Sequence, residues 1–326
     1  LTHEAMREYL PQQEPRRYLY DLVADYPQRG GRGMRPTLCI ATARAFGAPL
    51  SVALRTAVSI EMFHNGALIH DDIQDESDMR RGRPTLHRSE GTAMAINAGD
   101  MLLLLGLRPL IDNGSTLGPT LAMRVLQETE RMCVESAEGQ AIELGWRRDN
   151  VLDLSEADYL QLVLKKTCWL GHIHPLRTGA LLGTGDRIDL EPFIRLGFFL
   201  GTAFQIQDDL LNLVGDPDRY GKELGGDILE GKRTLMLIHT LGAATPQERR
   251  RIGEVFAGPR AERTPEQVRY IRGLMDAYGS IAHARQVAHG LAGAALHEWA
   301  QLSAGLPESR DKRFVERLAT WVIERA

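Results

Sequence analysis

The residues best suited to chemistry lie in two acidic clusters, each set on an apolar stretch. The first is His70-Asp71-Asp72-Ile73-Gln74-Asp75-Glu76-Ser77-Asp78. If a helix ends here, residues advance by about 100° each. Taking Asp71 as zero, Asp72 falls near 100°, Asp75 near 40° and Asp78 near −20°, so one side of the helix carries all four. His64, seven residues earlier, projects from that side two turns down. Two carboxylates about 4 Å apart repel by roughly 4 kcal/mol at an effective dielectric near 20. The C-terminal end of a helix disfavours anions further. A hard divalent cation reverses the sign of both terms, and Mg²⁺ characteristically binds one or two carboxylates together with substrate phosphates. The next residues, Arg80-Arg81-Gly82-Arg83-Pro84, supply the cations that would grip those phosphates.

The second cluster is Phe204-Gln205-Ile206-Gln207-Asp208-Asp209-Leu210-Leu211-Asn212. Asp208 and Asn212 stand one helical turn apart, with Gln205 nearly in line. Downstream, Gly221-Lys222-Glu223-Leu224-Gly225-Gly226-Asp227-Ile228-Leu229-Glu230-Gly231-Lys232-Arg233-Thr234 mixes glycines, lysines and acids. Such a loop can wrap phosphate, but it lacks the spacing of a nucleotide P-loop.

Positioning these groups requires helices. Apolar residues recur with helical period over 52–75, 92–110, 121–144, 155–182 and 190–213. Gly and Pro mark loops at 28–33, 81–84, 112–119, 183–189 and 215–226. No β-hairpin signal is legible. The expectation is an all-α, single-domain chain over 1–326, its motifs within 30–234 and a helical scaffold over 244–326.

Composition narrows the function. The chain has 326 residues, 43% hydrophobic and 25% charged, with formal net charge −4. This is a globular mix without the basic excess of a nucleic-acid binder. Cys39, Cys133 and Cys168 are far apart and show no C-x-x-C spacing, which predicts reduced, mostly buried thiols in a cytoplasmic protein. The longest uninterrupted apolar run, 101–105, is too short to span a bilayer. The expectation is no stable membrane insertion, and no signal peptide is legible.

Together these motifs resemble the trans-isoprenyl diphosphate synthase (polyprenyl synthetase) family. Five motifs occur in the family's order: Gly31-Arg32-Gly33-Met34-Arg35-Pro36; the stretch from His64 to Asp75; Arg80-Arg81-Gly82 through His87; Lys166-Thr167; and Phe204 through Lys232. The resemblance implies the isoprenoid synthase fold, antiparallel helices around a central cavity, and a homodimer. It implies three Mg²⁺ ions, with Mn²⁺ able to substitute. Asp71, Asp72 and Asp75 would hold two; Asp208, supported by Asp209 and Asp227, would hold the third. Arg80, Lys166, Lys222 and Lys232 would contact the allylic diphosphate. Arg32, Arg35, His64 and Arg81 would bind isopentenyl diphosphate. Thr167 and Gln205 would present oxygens to the allylic cation. Three positions depart from the family pattern. Arg32 stands where lysine is usual, Gly33 where many bacterial members have arginine, and Asn212 where the last aspartate stands.

The implied reaction is head-to-tail condensation of an allylic diphosphate with isopentenyl diphosphate, giving a linear all-trans polyprenyl diphosphate. In the family, aromatic residues one turn before the first aspartate stop growth near the farnesyl length. Gly66 and Ala67 are small here, and Phe63 lies a turn deeper. With Asn212, they point to a geranylgeranyl product. Farnesyl or longer products are the alternatives. A class I terpene cyclase on the same fold would need an N-D-x-x-S-x-x-x-E stretch that 207–212 does not match. A non-catalytic subunit would be expected to lose acids that both clusters keep. His70 reads as packing, His172, His174 and His239 as core or surface, and Lys165 as solvated. Glu143 and Gln140 are secondary candidates for the cavity wall.

Overall fold

The computed structural model describes residues 1–215 and 225–325. In chain order the helices are α1 (Thr2–Glu8), α2 (Asp21–Gln28), α3 (Met34–Ala45), α4 (Leu50–Gln74), α5 (Leu86–Glu90), α6 (Thr92–Leu117), α7 (Pro119–Arg148), α8 (Glu156–Val163), α9 (His174–Thr184) and α10 (Pro192–Val214). Helices Gly226–Glu230, Leu235–Ala243, Pro246–Ala257, Pro265–Ala277, Ser280–Leu302 and Arg310–Glu324 follow. The chain is all-α, as expected.

It divides into two compact units. One comprises Leu1–Cys133, Leu170–Ile194 and Ala300–Glu316; the other comprises Val134–Trp169, Arg195–Trp299 and Arg317–Ala326.

In the first unit, α4 packs along α6. Val58, Met62 and Ile69 of α4 share a buried cluster with Ala95, Ala98, Leu102 and Leu105 of α6. Each fully buried large side chain contributes roughly 2 kcal/mol. Gly179 and Gly183, one turn apart on α9, let that helix touch α3. A methyl group at Gly179 would stand 2.7 Å from the Cys39 carbonyl oxygen, and one at Gly183 2.4 Å from the Phe46 Cβ. Arg177 of α9 donates to both carboxylate oxygens of Glu128, at 2.6 and 2.9 Å, in a buried ion pair that ties α9 to α7.

Helix α6 runs seven residues past the expected end at 110 and through Pro109. Tertiary ties to α4 hold the polar extension. Arg55 donates to the Asp112 carbonyl at 3.0 Å, and Asn113 donates to Thr56 at 3.0 Å. By length and composition α6 is apolar enough to cross a membrane, and 44% of the qualifying window is buried inside the protein. Read as a whole helix it is far more apolar than the run 101–105 indicates.

The sequence also hides a hairpin. Met79–Arg80 pairs with Arg83–Pro84, in register Met79 with Pro84 and Arg80 with Arg83. Arg81 and Gly82 form the turn, both at positive φ (53° and 74°), the signature of a two-residue I′ turn. Strands of two residues are too short to show alternation, which is why the pattern is silent.

In the second unit, the expected single helix over 155–182 is three joined segments. α8 leads into a π-helical stretch, Leu164–Ile173, and then into α9 in the first unit. π-helical turns inside α-helices concentrate at functional sites. Capping boxes at Ser155, Thr245 and Thr264 start α8 and the helices Pro246–Ala257 and Pro265–Ala277. These local signals fix much of the expected scaffold.

Candidate active site

In the first unit the end of α4, the hairpin and the loop before α3 meet. Asp71 is partly exposed (27% of its side chain), whereas Asp72 is fully buried. The Asp72 carboxylate accepts from the Tyr26 hydroxyl at 2.5 Å and from Arg80 Nε at 2.9 and 3.1 Å, and Arg80 Nη2 also donates to it. Arg80 reaches Asp71 at 3.8 Å. Burial works against the Arg80 charge, but the hydrogen bonds and charge of Asp72, with Asp71 adding, raise its pKa. Burial first, then the Asp72 charge, raises the Tyr26 pKa. Asp75 caps α4 and is buried. The three aspartates thus do not share one exposed face: the 100° offset of Asp72 turns it into the protein, toward Tyr26.

Arg81 points elsewhere. Its guanidinium donates to the Gly30 carbonyl and, at 3.3 Å, to that of Tyr26. A methyl group at Gly31 would lie 2.9 Å from Arg81 Nη2, so glycine is what lets the loop close over the arginine. Gly33 sits at φ 56°, the left-handed N-cap of α3, and sets Arg35 in the first turn. Arg35 Nη1 lies 3.2 Å from His64 Nε2. A guanidinium only donates, so Nε2 accepts and the proton of the neutral ring is on Nδ1. Burial, then the charges of Arg35, Arg81 and Arg80, hold the His64 pKa well below the usual value. Beneath them Glu61 is buried, with its pKa raised by burial against the opposing charge of Arg35. Arg32 is exposed on the same loop. The structure brings Arg35, His64, Arg80, Arg81, Asp71 and Asp72 into one neighbourhood of this unit.

Of the residues expected to set chain length, Phe63 is 8% exposed and Ala67 half-buried. Gly66 faces α6: a methyl group there would stand 2.8 Å from Leu103 Cδ2 and 3.3 Å from the Gly99 carbonyl. That side of Gly66 is filled by α6 packing. The same holds for Phe63, whose ring lies 3.2 Å from where a methyl on Gly106 would sit.

In the second unit the π-helical stretch presents Lys166 and Thr167. The Lys166 ammonium is bound by Glu143, and Thr167 donates to Gln205 Oε1 at 2.9 Å. Gln205 Nε2 donates to Asp209 Oδ1 at 2.7 Å, and the Tyr159 hydroxyl donates to Asp209 Oδ2 at 3.1 Å. Asp209 is 5% exposed; burial, then the charge of Asp227, pushes its pKa well above the carboxylate range. Asp208 is more open, with 38% of its side chain exposed. Lys232 Nζ lies 3.6 Å from Asp227 and 2.6 Å from Glu230. Asn212 Oδ1 accepts from the Asp227 N–H at 3.1 Å, so this amide shapes the turn that carries Asp227. Lys222 lies outside the described residues.

Lys165 is only partly solvated: it pairs with Glu135 at 2.7 Å and Glu138 at 2.6 Å, its side chain 20% exposed. Sequence reasoning missed Tyr26, Tyr159, Glu61 and Gly139, which act through buried contacts and carry no motif signal.

Among the described residues, no three His, Cys, Asp or Glu side chains converge to hold a metal alone. The donors fit Mg²⁺ all the same. They are hard oxygens, Asp71 and Asp208 are accessible, and the Asp227 charge, which adds to burial in raising the Asp209 pKa, is one that a cation would offset. Mg²⁺ keeps waters and shares its sphere with phosphates, so a full protein cage is not needed.

The geranylgeranyl pyrophosphate synthase of Geoglobus acetivorans is 34% identical over 330 residues, covering 100% of this chain and 96% of that protein. The crystal structure of geranylgeranyl pyrophosphate synthetase from Pyrococcus horikoshii superposes with TM-score 0.88 at 31% identity, over 100% of this chain and 95% of that one. A polyprenyl synthase from Caulobacter crescentus, complexed with calcium and isoprenyl diphosphate, superposes with TM-score 0.85 at 27% identity, over 99% and 93%. The family model described as polyprenyl synthetase matches residues 16–275, a span holding every motif residue named above, and on that match the chain belongs to the polyprenyl synthetase family.

Proposed function

We propose that the chain is a Mg²⁺-dependent trans-prenyltransferase that condenses isopentenyl diphosphate with an allylic diphosphate, the main product being geranylgeranyl diphosphate. One observation carries the reading: Arg80 binds the Asp72 carboxylate and lies 3.8 Å from Asp71, while His64, on the same helix, sits against Arg35 and among the charges of Arg80, Arg81 and Asp71. Cations and anions so interleaved suit a diphosphate held partly by guanidinium and partly through divalent ions.

When bound at Asp71, Asp72, Asp75 and Asp208, with Asp209 and Asp227 in support, three Mg²⁺ ions would neutralise the charge growing on the leaving diphosphate. Mn²⁺ is the expected substitute. The protein's own groups do the rest. Arg80, Lys166, Lys222 and Lys232 hold the allylic diphosphate. Lys166 exchanges Glu143 for phosphate oxygens. Arg32, Arg35, Arg81 and neutral His64 hold the isopentenyl diphosphate, and the Arg35–His64 bond fixes the imidazole. The hydroxyl of Thr167 and the amide oxygen of Gln205 lie 2.9 Å apart and orient dipoles toward the allylic carbon as it gains positive charge. Apolar helices exclude water from that carbon. The departing diphosphate takes the proton released as the new double bond forms.

The reading takes residues 1–326 as one catalytic domain of a cytoplasmic homodimer, binding no nucleic acid. Ile96, Leu104 and Ile111, exposed on α6, are the apolar face that a second copy would cover. The test is incubation with Mg²⁺, isopentenyl diphosphate and each of three allylic primers, followed by sizing of the dephosphorylated alcohols. A twenty-carbon alcohol is expected; no incorporation with any primer would refute the reading. Ala67 lies one turn before Asp71 on a half-buried position, so Ala67→Phe is expected to shift the main product down by one isoprene unit. An unchanged product ladder would remove Ala67 from the wall of the tail pocket.

A further inference from the structure

Arg325, just beyond helix Arg310–Glu324, is tied to one turn of α10 by four contacts. Its guanidinium lies 3.5 Å from Asp208 Oδ1. Nη2 donates to the Phe204 carbonyl at 2.7 Å. The guanidinium carbon stands 3.9 Å over the Phe204 ring and 5.8 Å from the Trp321 ring. Gln207 Nε2 donates back to the Arg325 carbonyl at 2.9 Å. Only 8% of the Arg325 side chain is exposed. A guanidinium cannot shed its charge, and stacking on Phe204 further favours it there.

We propose that Arg325 is the resident counter-ion of Asp208, and that a divalent cation must displace it to bind there. The inference rests on Asp208 being a metal ligand. A guanidinium and a divalent ion on the same carboxylate repel, so each weakens the other's hold by the same factor. Arg325 thereby sets how much metal the second acidic cluster requires. Metal entry in turn releases residues 321–325 from the α10 turn. The tryptophan beside Arg325 makes the release observable.

The experiment titrates Mg²⁺ in the presence of inorganic pyrophosphate, following binding by calorimetry and by tryptophan emission. Wild-type protein is expected to change emission on binding, and Trp321→Phe to lose that change. Arg325→Gln is expected to bind Mg²⁺ about fivefold tighter, the weight of one partly exposed ion pair. Arg325→Lys, which keeps the charge, is expected to stay near wild type. Unchanged or weaker Mg²⁺ affinity in Arg325→Gln overturns the proposal. Asp208→Asn separates the two ideas. If it binds Mg²⁺ as wild type does, the assignment of Asp208 fails and the counter-ion role with it. If it binds more weakly while Arg325→Gln is unchanged, the counter-ion role alone fails.

Discussion

Asp72→Ala is expected to lower turnover by at least about a hundredfold and to cut the melting temperature by roughly 10 °C, whereas Asp71→Ala should lose comparable turnover at nearly unchanged stability. The two neighbours look alike in sequence and differ in burial. Asp72 is enclosed and accepts from Tyr26 and Arg80 together, while Asp71 is partly exposed, with Arg80 3.8 Å away. Truncating Asp72 leaves a buried guanidinium without its main partner. Breaking such a pair from one side costs about 3–5 kcal/mol, most of it the stranded charge. It also frees the Tyr26 hydroxyl and the hairpin that carries Arg80 and Arg81. Thermal unfolding of both variants, beside steady-state incorporation of isopentenyl diphosphate, checks the contrast. Equal melting temperatures would show that the Tyr26–Asp72–Arg80 link does not hold the site together.

That contrast marks what the sequence could and could not tell. Helical period placed α4 within two residues at its start and one at its end, because a long apolar pattern is hard to mistake. The same period put His64 two turns below Asp71 on one side of the helix, whereas its basic partners were implied only by the family resemblance. Helical spacing gives the 100° between Asp71 and Asp72 but not what stands opposite each, so it does not tell which of the two is buried. Tyr26 was the missing object, and it lies 46 residues away with no motif around it. The hairpin at 79–84 was silent because two-residue strands have no period. The π-helical stretch, Leu164–Ile173, was silent because widened turns leave no apolar period of their own over ten residues. The small size of Gly66 alone suggests open space, whereas Leu103 fills the space that size creates. Burial by a distant partner explains the omissions at Asp72 and Gly66.

Gly139→Ala makes the same point as a measurement, with the largest expected effect in the second unit. A methyl group at Gly139 would stand 2.2 Å from the Lys166 nitrogen, 2.6 Å from its Cα and 2.8 Å from the Lys165 carbonyl carbon. These are backbone atoms, so no rotamer change relieves the contact. Nor is the π-helical stretch free to slide, because acids on α7 grip it around the glycine. Glu135 and Glu138 bind Lys165, and Glu143 binds Lys166. Either α7 retreats or Lys166 and Thr167 shift together, and the Thr167–Gln205–Asp209 chain is pulled with them. The expected loss is about 3 kcal/mol or more of stability. A displacement near 1 Å at the reacting end lowers turnover by about a hundredfold. Gly145, also on α7, has no atom within 4 Å of its would-be methyl. Gly145→Ala should therefore gain up to about 1 kcal/mol from helix propensity and leave turnover intact. Unfolding curves and incorporation rates for the pair decide the matter. If the two variants melt together, α7 does not clamp the π-helical stretch, and the position of Lys166 must be fixed by something other than its contact with Gly139.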